Sequence, residues 1–92
     1  TARAKIVSRQ GDHDAAEALA RGALELIEPT DLLNAQGFVL LDLATVLAAA
    51  GKPNEAAQHA RDAAGRFERK GNVPARARAV AAADQLAGAG AS

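Results

Sequence analysis

The chain has 92 residues with 11 basic and 11 acidic side chains, so its formal charge is zero. Apolar residues make up 49% but aromatics only 2%, and Cys, Met, Trp and Tyr are missing. These figures exclude a disulfide scaffold, a thiolate metal site and a cysteine nucleophile. They also weigh against a strongly basic nucleic-acid module and against disorder.

No stretch alternates with period two, and helical periodicity runs through the chain. A first helix is expected over about Ala2–Gln10, ended by Gly11. Asp12 suits the N-cap of a second, about His13–Ile27, which Pro29 stops. Thr30 or Asp31 is expected to cap a third helix, about Asp31–Ala50, closed by Gly51. Pro53 fits the first turn of a fourth, about Pro53–Arg69, before a break at Gly71 and Asn72. Pro74 opens a fifth, about Pro74–Ala87, and Gly88–Ser92 is expected to be a flexible tail.

The third helix carries two adjacent apolar stripes. One is Leu33, Gly37, Leu40, Ala44 and Leu47; the other is Leu32, Gln36, Val39, Leu43 and Val46. Such a helix is buried against more than one neighbour. With 26 alanines, the core should be thin and the helices close together. The most apolar run, Phe38–Ala50, holds Asp42 and falls short of the ~20 residues of a membrane span. No leader pattern is visible, so a soluble, cytoplasmic protein is expected. Thr1 heads a chain without methionine, and the favoured reading is a piece of a larger protein. Its heavy Ala, Arg and Gly usage suits a bacterial source.

Self-similarity organises these elements. A shift of 40 residues carries Gly11 onto Gly51, Ala16 onto Ala56, Ala20 onto Ala60 and Arg21 onto Arg61. It also carries Ala23 onto Ala63 and Glu28 onto Glu68. Helices one–two and three–four are therefore two copies of one hairpin, and helix five begins a third. The expected domain covers residues 1–87, with repeat one at 1–28, repeat two at 31–70 and the final helix at 74–87.

The second copy resembles a tetratricopeptide repeat. Leu43 and Ala44 fit that family's large–small pair, Leu47 its aromatic slot and Gly51 its turn. Ala56 and Ala63 fit its small positions, and Gly11, Ala16 and Ala23 match in the first copy. Leu40 replaces the leading Trp, Ala60 the second-helix aromatic, and the closing proline is missing. The period is 40 where the family has about 34, which leaves a HEAT-like pairing open. A narrower likeness lies in Glu28-Pro29-Thr30-Asp31, Leu41-Asp42-Leu43-Ala44 and Phe67–Asn72. These resemble the C-terminal helical array of large bacterial signalling ATPases.

The resemblance implies an all-α, right-handed superhelical fragment and a non-catalytic protein-interaction module. It places Lys5, Ser8 and Arg9, then Leu41, Thr45 and Ala48, then Arg78 and Gln85, on a concave partner-binding face. Lys5 and Arg9 share a helix face and suit a peptide carboxylate. The alternative is an oligomerisation or capping element that pairs through exposed repeat faces.

Other candidates read as ordinary surface. His13 between Asp12 and Asp14 suits a polar helix start. His59 and Asp62 have ligand spacing without a third ligand, so no metal is expected. Asp42 suits a helix-surface or paired carboxylate. Gly88 and Gly90 precede no helix, so no phosphate loop is formed, and Ser8 and Ser92 lack a histidine partner. No cofactor and no enzymatic activity are expected. Residues 1–51 hold 4 basic and 7 acidic groups, and residues 52–92 hold 7 and 4. Arg66, Arg69, Lys70, Arg76 and Arg78 cluster in the second half. Without interleaved aromatics they suit a helix dipole better than nucleic acid.

Overall fold

The computed structural model describes residues 12–91 and forms four helices there. They are α1 (His13–Ile27), α2 (Leu33–Ala49), α3 (Pro53–Lys70) and α4 (Val73–Ala91). No strand occurs among the described residues. The helix expected over Ala2–Gln10 lies outside them.

Each boundary has a local cause. Asp12 caps α1, its Oδ1 accepting the Ala15 N–H at 3.1 Å. Gly51 and Gly71 take φ of +80° and +83°, the left-handed region that glycine enters without steric cost. At each, the next residue's N–H reaches back to a carbonyl of the last turn: Lys52 to Leu47 and Asn72 to Phe67, both at 2.9 Å. Pro53 occupies the first turn of α3. Asn72 Oδ1 accepts the Ala75 N–H at 3.3 Å, and its Nδ2 donates to Asn34 Oδ1 at 3.2 Å. The starts of α2 and α4 therefore lie side by side.

Two boundaries differ from the sequence reading. Neither Thr30 nor Asp31 caps α2; the cap position is Leu32, which offers no side-chain bond. The Thr30 hydroxyl is committed to the turn, donating to the Ile27 carbonyl at 2.6 Å and accepting the Leu32 N–H at 3.2 Å. The final helix continues beyond Ala87 through Gly88 to Ala91. No proline or left-handed glycine stops it there, and alanine sustains a helix.

α2 packs between α1 and α3, and α4 packs on α3. One cluster joins Ala16 and Ala20 of α1 to Leu43, Ala44, Val46 and Leu47 of α2 and Ala56 and Ala60 of α3. Another joins Leu40 to Ala63, Ala64 and Phe67 of α3 and Ala75 and Ala79 of α4. α2 supplies most of the bulk, while its neighbours present alanine and approach closely.

A single turn of α2 fixes this packing. A Cβ on Gly37 would stand 2.5 Å from Cε1 and Cζ of Phe67, so the ring occupies the space a side chain would need. Phe67 is fully buried, and the Phe38 ring meets it edge-on, with centroids 5.0 Å apart at 63°. Gln36, though buried, is fully used. Its Nε2 donates to the carbonyls of Thr30 (2.6 Å), Glu28 (3.2 Å) and Ile27 (3.4 Å). Its Oε1 accepts from Arg66 Nε at 3.1 Å, and Arg66 also pairs with Glu28 at 2.5 Å. Gln36 thus satisfies the carbonyls left open where α1 ends.

Two glycine substitutions separate packing from propensity. Gly37→Ala gains about 1 kcal/mol of helix propensity but adds an overpacking cost of about 1–3 kcal/mol. A net loss is expected in urea denaturation. Gly22→Ala meets nothing within 4 Å and is expected to gain stability by up to about 1 kcal/mol.

Candidate functional site

An apolar groove runs between α2 and α4. Leu41, Ala44, Thr45 and Ala48 form one wall, and Arg78, Ala82, Gln85 and Leu86 the other, around about 460 Å³. Both walls follow from helical spacing, since residues three or four apart share a face. Leu41 and Ala48 are half-buried and Thr45 is exposed. The Thr45 hydroxyl donates to the Leu41 carbonyl at 3.0 Å, which leaves its lone pairs outward. Arg78 and Gln85 are exposed and form no ion pair or side-chain hydrogen bond among the described residues. The groove therefore offers an apolar floor with a cation and an amide at its rim.

Of the concave-face residues expected from sequence, the structure brings together Leu41, Thr45, Ala48, Arg78 and Gln85. Lys5, Ser8 and Arg9 lie outside the described residues. Sequence reasoning missed Ala44, Ala82 and Leu86, which complete the floor. It also missed Phe38, which is 46% exposed and shares the face of Leu41 and Thr45. The spacing 38, 41, 45, 48 was the available signal.

The other candidates are dispersed. No group of three potential metal ligands occurs among the described residues. His59 is half-buried, and its Nδ1 has no hydrogen-bond partner among the described residues. Asp42 is half-buried on α2 and is engaged within the chain. The basic set splits up: Arg66 is bound to Glu28 and Gln36, while Arg76 and Arg78 line separate cavities. No helix among the described residues is long and apolar enough to cross a membrane.

A tetratricopeptide repeat family model matches residues 1–69. The chain belongs to the tetratricopeptide repeat family. No curated protein and no solved structure gives a match. The matched span takes in α1, α2 and nearly all of α3, and α4 follows it. The family is a non-catalytic repeat scaffold, and its repeats generally mediate protein–protein interaction. Ala16, Ala56 and Ala63, at the family's small positions, are all fully buried.

α1 is also joined electrostatically to the start of α3. Glu17 of α1 accepts from Lys52 Nζ at 2.9 Å and from Arg21 Nε at 2.8 Å, and Arg21 lies 3.6 Å from Glu55 of α3. Hydrogen bonds from Lys52 and then Arg21 hold the Glu17 carboxyl below the usual carboxylate range. Glu17 raises the Lys52 ammonium above the usual lysine value. A depressed carboxyl contributes stability that is present above the ordinary carboxylate range and lost as pH falls through the lowered value. For the raised lysine, stability is present below the ordinary lysine range and lost as pH rises through the raised value. Carboxyl NMR titration is expected to give Glu17 a midpoint below the usual carboxylate range. Lys52→Ala should move Glu17 back toward the ordinary value, and added salt should shrink the difference.

Proposed function

We propose that this chain binds a peptide segment of a partner protein in the groove between α2 and α4. The carrying observation is the convergence of Leu41, Thr45, Ala48, Arg78 and Gln85 on one apolar groove. An apolar side chain of the peptide packs on Leu41, Ala82 and Leu86. Its main chain hydrogen-bonds Gln85 and Thr45, and an acidic side chain meets Arg78. By the repeat shift, Lys5 and Ser8 correspond in sequence to Thr45 and Ala48.

The module acts within a larger bacterial signalling protein of the cytoplasm, as the likeness to the C-terminal arrays of signalling ATPases suggests. The segment it binds belongs to a partner or to another domain of its own parent. A second reading, self-association through exposed repeat faces, draws on Leu26 and Val73, which are 81% and 71% exposed.

Peptides selected from a random library against the chain test the groove. Leu41→Glu and Arg78→Glu are each expected to weaken a selected acidic peptide at least tenfold, and Leu26→Glu to leave it unchanged. Equal binding by all variants would overturn the groove reading. A mass that rises with concentration in light scattering, and falls on Leu26→Glu, would favour self-association.

A further inference from the structure

A cavity of about 470 Å³ lies where α1 gives way to α2, and it shares no residue with the groove between α2 and α4. Its volume falls in the range of small-molecule sites, roughly 300–1,000 Å³. Glu28, at the end of α1, and Asp31, in the connection, form one side. Leu33 and Gln36 of α2 and Arg66 and Arg69 of α3 form the rest.

The walls are fixed by hydrogen bonds. The buried Gln36 holds the carbonyls of Ile27, Glu28 and Thr30 through its Nε2. The Thr30 hydroxyl donates to the Ile27 carbonyl, and the Leu33 N–H donates to the Asp31 carbonyl at 3.0 Å. The connection that carries Asp31 is therefore pinned at several points. On the opposite wall, Arg66 Nε donates to Gln36 Oε1 at 3.1 Å. A ligand here meets a wall that is already ordered, so little is lost in arranging it.

One charge pair in the cavity is used and the other is not. Glu28 and Arg66 pair at 2.5 Å. Asp31 and Arg69 are both exposed. Among the described residues, neither forms an ion pair or a side-chain hydrogen bond. They line one cavity from different elements, so a carboxylate and a guanidinium share a space without touching. Arg69 stands three residues after Arg66, on the same face of α3.

This arrangement selects by charge. The walls hold two acids and two bases. A simple anion meets Asp31 and Glu28 as like charges, and a simple cation meets Arg66 and Arg69. Such repulsion discriminates against both. A molecule that carries both signs meets each wall with the opposite charge. Leu33, half-buried, adds an aliphatic surface.

We propose that this cavity binds a small zwitterion, an aliphatic amino acid or dipeptide. Its ammonium lies on Asp31, its carboxylate on Arg69 and its side chain against Leu33. The guanidinium offers a planar fork that fits a carboxylate, and the ligand's ammonium donates to the Asp31 carboxylate. Both contacts are at the surface, so binding weakens as salt is added. The site is independent of peptide binding between α2 and α4.

Leucine and alanyl-leucine are the probes, each titrated into the isotope-labelled chain while amide NMR shifts are followed. Saturable shifts at residues 28–36 and 66–69 are expected for at least one of them. N-acetyl-leucine keeps the carboxylate without the ammonium, and leucinamide keeps the ammonium without the carboxylate. Each should bind at least tenfold more weakly than leucine. Asp31→Asn should weaken the zwitterion at least tenfold without weakening N-acetyl-leucine. Arg69→Gln should weaken the zwitterion at least tenfold without weakening leucinamide. Both side chains are exposed and unpaired, and the amide spectrum reports directly that each variant is folded. Leu41→Glu should leave the zwitterion's affinity unchanged, which separates this site from the groove. No saturable shift with either probe up to its solubility would overturn the proposal. So would equal binding by the blocked forms, or zwitterion binding that ignores both Asp31→Asn and Arg69→Gln.

Discussion

The architecture depends on the contact between Gly37 and Phe67. The only large aromatic side chain that is fully buried rests where α2 has no side chain. This sets how closely α2 and α3 approach. The consequence passes directly to α4, because Ala75 and Ala79 share a cluster with Phe67 and Leu40. α4 is thus positioned by the ring that Gly37 admits, and with it the far wall of the groove between α2 and α4. The neighbouring residues reinforce the contact: Phe38 closes over the ring edge and Gln36 ties the turn to the end of α1.

Elsewhere the core is built by subtraction. Ala16, Ala20, Ala56, Ala60 and Ala63 bury little surface of their own, yet all are fully buried. They let Leu40, Leu43, Val46 and Leu47 of α2 reach several neighbours. A close-packed interior of this kind responds to single methyl groups. The buried polar network around Gln36 adds directionality that alanine packing lacks. It fixes the course of the chain between α1 and α2, and Arg66 and Glu28 carry it to the surface.

Much of this was legible because punctuation and periodicity act locally. Asp12, Gly51, Pro53 and Gly71 mark helix ends through backbone geometry that needs no tertiary context. Helical spacing identified which α2 and α4 residues share a face. Gln36 was misread as part of an apolar stripe. Its position is indeed buried, but its role depends on carbonyls that only the folded loop presents. The Leu32 cap was illegible for the same reason, since the Thr30 hydroxyl chose the turn over the helix. Phe38 and Leu86 entered the site description only once α4 was in place, because a groove between helices is a property of their packing.

The functional reading rests on this chain of positions: a glycine admits a ring, the ring seats a helix, and the helix faces make the groove. A double-mutant cycle on stability tests the first link, using Gly37→Ala, Phe67→Leu and the combination in urea denaturation. If the ring occupies the space that a side chain on residue 37 needs, Gly37→Ala destabilises the native background. In the Phe67→Leu background it costs nothing or is stabilising, with a coupling of about 1 kcal/mol or more. An equal cost of Gly37→Ala in both backgrounds would contradict the account.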